Sequence, residues 1–271
     1  PDVMFFLEES GSYYLPSSKT NEFNSLLFDD NLLQSVGQDV DNQFSIAADI
    51  DGDGSTDLLS LVDQGAKYYR NKGFGTFELS YEFSEGGISH FPSAPKHAVI
   101  FDFDQDGDLD LAISAYNSTS FGEAVVLIFK NTGSGIFESP GKLDYPFKTP
   151  SFLVGMDVDG DHDLDLVVSE QVEGQVLCFE NDGSAEFVFK SIIAENLNEP
   201  RCLHSFNAES NGDYDPLDPF GKRDLLIGSQ NNISVAENDG SGNFSTSTAL
   251  DNLGGFVRSV KPLRLNSDSL S

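Results

Sequence analysis

An acidic nonamer occurs three times in this chain of 271 residues, and its spacing restricts the fold more than any other feature. The copies read Asp49-Ile50-Asp51-Gly52-Asp53-Gly54-Ser55-Thr56-Asp57, Asp102-Phe103-Asp104-Gln105-Asp106-Gly107-Asp108-Leu109-Asp110 and Asp157-Val158-Asp159-Gly160-Asp161-His162-Asp163-Leu164-Asp165. Carboxylates at positions one, three and five face one side of a tight turn. The carbonyl of position seven and the carboxylate of position nine complete an oxygen cage, and such a set of hard donors suits Ca²⁺. Glycine at position six, Gly54 and Gly107, supplies the positive φ that the turn requires. The last ligand comes at nine, and the apolar run Leu58-Leu59-Ser60-Leu61-Val62 follows it, so the loop is not an EF-hand. Single Asp-Gly turns often bind nothing; three copies in register argue for ion sites.

About three Ca²⁺ ions are therefore expected. Their ligands are Asp49, Asp51, Asp53, Ser55 and Asp57; Asp102, Asp104, Asp106, Asp108 and Asp110; and Asp157, Asp159, Asp161, Asp163 and Asp165. His162 replaces the glycine of the third copy. Histidine visits left-handed geometry more readily than most residues, so this site is expected to be retained but weaker. A fourth copy starts at Asn207 and carries Glu209 and Asn211 where aspartates are expected. An insertion displaces its closing Asp224-Leu225, and it is expected not to bind.

The repeat is wider than the loop. Apolar strands precede the three copies at Phe44–Ala48, Ala98–Phe101 and Phe152–Met156, and second strands follow at Leu58–Val62, Leu111–Ser114 and Leu166–Ser169. Third strands at Lys67–Tyr69, Val125–Phe129 and Val176–Phe179 lead to a turn Asn-x-Gly-x-x-x-Phe. It recurs as Asn71 to Phe77, Asn131 to Phe137, Asn181 to Phe187 and Asn238 to Phe244. Four short strands per period of about 50 residues is the pattern of a propeller blade. Loops start at 49, 102, 157, 207 and 264, at intervals of 53, 55, 50 and 57. The chain thus reads as one all-β propeller domain or segment over residues 1–271, with four complete repeats and two partial ones. Val3–Leu7 and Ser12–Leu15 are expected to be the third and fourth strands of a blade, and Phe256–Leu263 a first strand. Joining the two partial units would leave a blade without a second strand. A ring completed elsewhere, most simply to seven blades, is expected, with a closed five-bladed ring as the alternative.

With these motifs in place, the units resemble the FG-GAP/VCBS repeats of integrin-α-like propellers over essentially the whole chain. The resemblance implies Ca²⁺ in the hairpin joining the first and second strands of each blade. It also implies an extracellular binding, adhesion or surface-assembly protein that recognises glycan or protein. A secreted polysaccharide-acting lyase or hydrolase and a purely architectural subunit are the alternatives.

Composition narrows this further. Asp and Glu outnumber Lys and Arg by 45 to 15, giving a net charge of −30. Nucleic acid is excluded as a partner, because it needs a basic face. No membrane span is visible, and calcium need points outside the cell, where it is millimolar. No catalytic constellation appears, so no enzymatic role is expected. Cys178 and Cys202 could meet between adjacent blades, but read first as two buried free thiols. One further pattern stands out against the acidity: Lys96, Arg201 and Arg258 recur at equivalent places just before first strands. First strands line the channel of a propeller, so these three are expected to ring one mouth, opposite the calcium loops, either as solvated charges at strand starts or as a site for a polar or anionic ligand.

Overall fold

The structure, a computed structural model, describes residues 3–7, 11–15, 34–35, 44–62, 65–73, 76–83, 94–116, 124–206 and 223–261. Every regular element among them is a β-strand. An N-terminal sheet contains β1 (Val3–Leu7), β2 (Gly11–Leu15) and β3 (Gln34–Ser35), with β1 and β2 antiparallel. The first blade is β4 (Phe44–Ala48), β5 (Asp57–Val62), β6 (Gly65–Asn71) and β7 (Phe77–Phe83). The second is β8 (Pro95–Phe101), β9 (Asp110–Ala115), β10 (Val125–Phe129) and β11 (Gly141–Lys142). The third is β12 (Pro150–Met156), β13 (Asp165–Glu170), β14 (Gln175–Asn181) and β15 (Phe187–Ala194). The fourth is β16 (Cys202–Phe206), β17 (Asp224–Gly228), β18 (Ile233–Asn238) and β19 (Phe244–Leu250). Each blade is a four-stranded antiparallel meander in chain order.

The first strands β4, β8, β12 and β16 touch one another in sequence, so they form the inner wall. Second strands are continuous apolar runs because both of their faces pack on neighbouring blades; every residue of β9 and β13 is buried. The outer strands β7, β15 and β19 are mostly exposed. The core accordingly lies between blades. One cluster joins Ile50, Leu59 and Tyr68 of the first blade to Ile113, Phe129 and Phe137 of the second. Equivalent clusters join the second to the third and the third to the fourth. The recurring turn phenylalanine packs across the same seams. Phe137 meets Phe83 at 5.2 Å between centroids, and Phe187 meets Phe103 at 5.3 Å. Blades approach so closely that a Cβ on Gly155 would lie 2.6 Å from the Phe101 ring.

The turn asparagine explains how neighbouring blades are held together. Asn131 Nδ2 donates to Ile50 O of the preceding blade at 2.9 Å, Asn181 Nδ2 to Phe103 O at 2.7 Å, and Asn238 Nδ2 to Val158 O at 2.7 Å. The same amides donate within their own blade, Asn131 to Leu109 O and Asn181 to Leu164 O, both at 3.1 Å.

One expectation is corrected. Residues 256–261 of the expected first strand Phe256–Leu263 form no strand; the remainder lies outside the described residues. Phe256 makes a single bridge to Gln230, and Val257 N–H donates to Ser229 O at 3.3 Å. The segment's backbone groups find their partners in the turn between β17 and β18, not in a ladder of their own.

Asn131→Ala removes both carbonyl partners and the acceptor of the Gly133 N–H. A loss of about 1–3 kcal/mol is expected in denaturant unfolding, because buried polar groups lose their partners. Glu138→Ala, at an exposed position, is expected to stay within about 0.5 kcal/mol of the parent.

Candidate metal centres

Each acidic loop is a rigid turn held by its own backbone amides. The position-one carboxylate accepts the position-six N–H: Gly54 to Asp49 at 2.9 Å, Gly107 to Asp102 at 3.0 Å, His162 to Asp157 at 3.2 Å. The position-five carboxylate accepts the position-seven N–H at 2.9 Å in all three, Asp53 from Ser55, Asp106 from Asp108 and Asp161 from Asp163. Position six has positive φ throughout, and His162 adopts it at 74°. Position four does the same at Gly52, Gln105 and Gly160. The glycines at 52 and 160 were the sequence signal for this second left-handed residue, which the motif reading passed over.

The position-nine aspartate is more than an ion ligand. Asp57, Asp110 and Asp165 are buried, and each accepts two backbone N–H groups. One oxygen takes position two of its own loop: Ile50 at 3.1 Å, Phe103 at 3.0 Å and Val158 at 2.8 Å. The other takes the turn asparagine: Asn71 at 2.7 Å, Asn131 at 2.8 Å and Asn181 at 2.9 Å. In the fourth blade Asp224 accepts Asn238 N–H in the same way at 2.8 Å. Residues 207–222, with the rest of that loop, lie outside the described residues.

What remains over the turns is a surplus of carboxylate oxygen. Ligand atoms of Asp49, Asp51 and Asp53, of Asp102, Asp104 and Asp110, and of Asp157, Asp159 and Asp165 lie within 4.8 Å of one another in each group. Asp49 Oδ1, Asp104 Oδ1 and Asp159 Oδ1 are buried and receive no hydrogen bond. Such orphaned, negatively charged acceptors are costly unless a cation meets them. Burial pushes the carboxyl of Asp110 up to about 6 and that of Asp165 up to about 7. Burial, then the charge of the neighbouring Asp106 or Asp161, raises Asp104 and Asp159 as well. An all-oxygen, all-anionic set of this kind fits Ca²⁺. Asp57, Asp106 and Asp161 stand outside the tight groups, and Ser55, Asp108 and Asp163 occupy the position assigned to a carbonyl ligand.

The three loops differ in the residue before the turn asparagine. In the first, Arg70 Nε pairs with Asp51, and its NH2 lies 3.3 Å from Asp53 Oδ2. In the third, the charge of Glu180 and then a hydrogen bond to it raise the carboxyl of Asp159, while Glu180 itself pairs with Lys190 at 2.6 Å. The first loop thus already holds a guanidinium, and the third has an added carboxylate to set against His162.

The three basic residues singled out in the sequence come together at the other end of the first strands. Lys96 lies within β8, Arg201 immediately precedes β16, and Arg258 follows the bridge residue Phe256. All three line one cavity of about 810 Å³. Lys96 and Asp102 are six residues apart on an extended strand, so mouth and acidic loop are separated by about 20 Å. Sequence reasoning missed Lys261, which lines the same cavity. The fifth repeat's lack of a regular strand concealed it.

A family model described as an FG-GAP-like repeat matches residues 49–113 and 102–168. These stretches are FG-GAP-like repeats. The matched repeats are the first three acidic loops with the strands between them. No curated protein matches the chain. Similar solved structures include that of an Agrocybe aegerita lectin, reported for specific recognition of non-reducing terminal N-acetylglucosamine. It is 16% identical with a TM-score of 0.44, over 90% of this chain and 75% of that one. Another is a Photorhabdus luminescens Tc holotoxin pore, 17% identical with a TM-score of 0.29, over 79% of this chain and 12% of that one.

Chelation with EDTA is expected to lower the melting temperature by several degrees, since a ligand bound only by the folded state stabilises it by mass action. An unchanged melting temperature would show that the loops hold no stabilising ion. Arg70→Ala is expected to raise the affinity of the first loop for Ca²⁺ by about tenfold, or about 1.4 kcal/mol, in terbium-displacement titration. Unchanged affinity would show that the guanidinium does not compete.

Proposed function

We propose that this protein is an extracellular, calcium-stabilised binding propeller that recognises a glycan or protein ligand, alone or within a surface assembly. Ca²⁺ in this reading is structural. Asp49, Asp51 and Asp53, Asp102, Asp104 and Asp110, and Asp157, Asp159 and Asp165 would hold three ions. Each ion would neutralise crowded carboxylates and fix the hairpin between the first and second strands. The observation that carries the binding role is the cavity at the opposite mouth, walled by residues of several repeats on the rigid inner strands. Concave polar sites of this size are where small ligands bind. Millimolar calcium outside cells suits loops of this kind. No helix among the described residues is long and apolar enough to cross a membrane.

The enzyme alternative would place polysaccharide cleavage at the same mouth. A hydrolase of the usual kind needs two carboxyl groups flanking the bond, and no Asp or Glu lines the cavity among the described residues.

Glycan-array screening with and without chelator tests the proposal. Saccharide binding in calcium that weakens as the chelated protein loosens is the expected outcome. A blank array, together with failure to bind any extracellular protein on a matched protein array, would count against a binding role.

A further inference from the structure

We infer that the channel mouth is a binding site for an acidic oligosaccharide, a short sugar chain carrying carboxylate or sulfate groups. This rests on the reading of the protein as a binding propeller and names the ligand class of its cavity. The decisive observation is the charge of the wall. Asp and Glu outnumber Lys and Arg by 45 to 15 in the chain. Yet the cavity is lined by Lys96, Arg201, Arg258 and Lys261 and by no carboxylate among the described residues. The four cations come from the starts of the second, fourth and fifth repeats. A recessed patch of one sign inside a protein of the opposite sign concentrates the field on whatever enters it.

The cations are held in place in different ways. Lys96 Nζ sits over the Tyr116 ring, 4.9 Å from its centroid, and Arg201 stacks on Phe256 at 4.1 Å. Arg201 also pairs with Glu199 at 2.5 Å, so one of its donors is engaged and part of its charge is offset. Arg258 and Lys261 are exposed, and no ion pair joins either to a described residue. They are the two whose charge is most available to a ligand.

The rest of the cavity selects among anions. Phe44, His97 and Phe152, from three neighbouring first strands, stack as a ladder with centroids 4.4 Å and 3.7 Å apart. His97 is buried, which holds it neutral, and its Nδ1 accepts Leu153 N–H at 3.3 Å. This floor is apolar and rigid. Uncharged hydrogen-bonding groups flank it: Tyr116 OH donates to Gln171 Oε1 at 3.0 Å, and Ser259 lines the wall. Cations, neutral polar groups and an apolar floor together match a ligand with charges, hydroxyls and hydrocarbon faces on one small body. A cavity of about 810 Å³ accommodates a short oligosaccharide and not a folded partner. Nucleic acid is disfavoured because the chain as a whole carries a net charge of −30.

Isothermal titration in calcium buffer with four probes tests the assignment. They are a galacturonate trimer for carboxylate, a heparin-derived disaccharide for sulfate, an N-acetylglucosamine dimer as the neutral sugar, and a hexaglutamate peptide as the acidic non-sugar. At least one acidic saccharide is expected to bind more tightly than the neutral dimer and the peptide. Binding is expected to weaken about tenfold in Arg258→Glu/Lys261→Glu, and to weaken as salt screens the charges. Both positions are exposed, and an unchanged melting temperature confirms that the variant folds. Absence of binding to both acidic probes would overturn the inference, as would equal binding of the neutral dimer or unaltered affinity in the variant. Tighter binding of hexaglutamate would reassign the mouth to an acidic protein segment. Neutral glycans bound regardless of the variant would leave the binding propeller standing and remove only this inference.

Discussion

The structure depends on one repeated hydrogen-bonded clamp. A buried aspartate at the start of each second strand accepts the backbone N–H of the asparagine at or just beyond the end of the third strand. In the second, third and fourth blades that asparagine's amide reaches back to a carbonyl in the acidic loop of the preceding blade. A buried carboxylate is stable only when its oxygens are well served by donors, and the clamp serves them with backbone amides. Loop, blade and neighbouring blade are thereby joined at one point. The fourth blade shows the separation of roles. Its loop has lost the aspartates of positions one, three and five, yet Asp224 and Asn238 keep the clamp. The position-nine aspartate thus serves the fold even where its loop lacks the earlier aspartates.

Much of this was legible in the sequence because the signals are local and repeated. The nonamer fixed where first and second strands meet, and the observed β4 and β10 coincide with the runs Phe44–Ala48 and Val125–Phe129. The observed second strands begin at the position-nine aspartate itself, one residue earlier than the apolar runs. That residue pairs in the ladder while its side chain serves the loop. The meaning of the turn asparagine was not legible, because its partner carbonyls lie about eighty residues away in chain order. Arg70 was also invisible as a loop residue: only the β5–β6 register, Leu58 opposite Tyr69, carries it back to Asp51. The basic residues of the mouth were visible as a repeated position, but the aromatic ladder beneath them depends on contacts between strands more than fifty residues apart.

The two ends of the inner strands have opposite electrostatic character. At one end carboxylates crowd until burial and mutual repulsion raise them. At the other, four cations face a cavity lined by no acidic residue among those described. In the proposed reading a divalent ion would relieve the crowding at the first end. The second is a surplus of charge left for a ligand. In the first three blades the same first strand runs between the two ends, so an ion held by the loop would steady the strand that positions the mouth.

The account turns on the orphaned oxygens of the first three loops. Crystals grown in calcium buffer, with anomalous differences measured at long wavelength, report on them directly. Three peaks are predicted, one beside each group of Asp49 and Asp51, Asp102 and Asp104, and Asp157 and Asp159, at the roughly 2.3–2.6 Å typical of Ca²⁺–oxygen contacts. Water or no density at the Asp49 and Asp102 loops would contradict it.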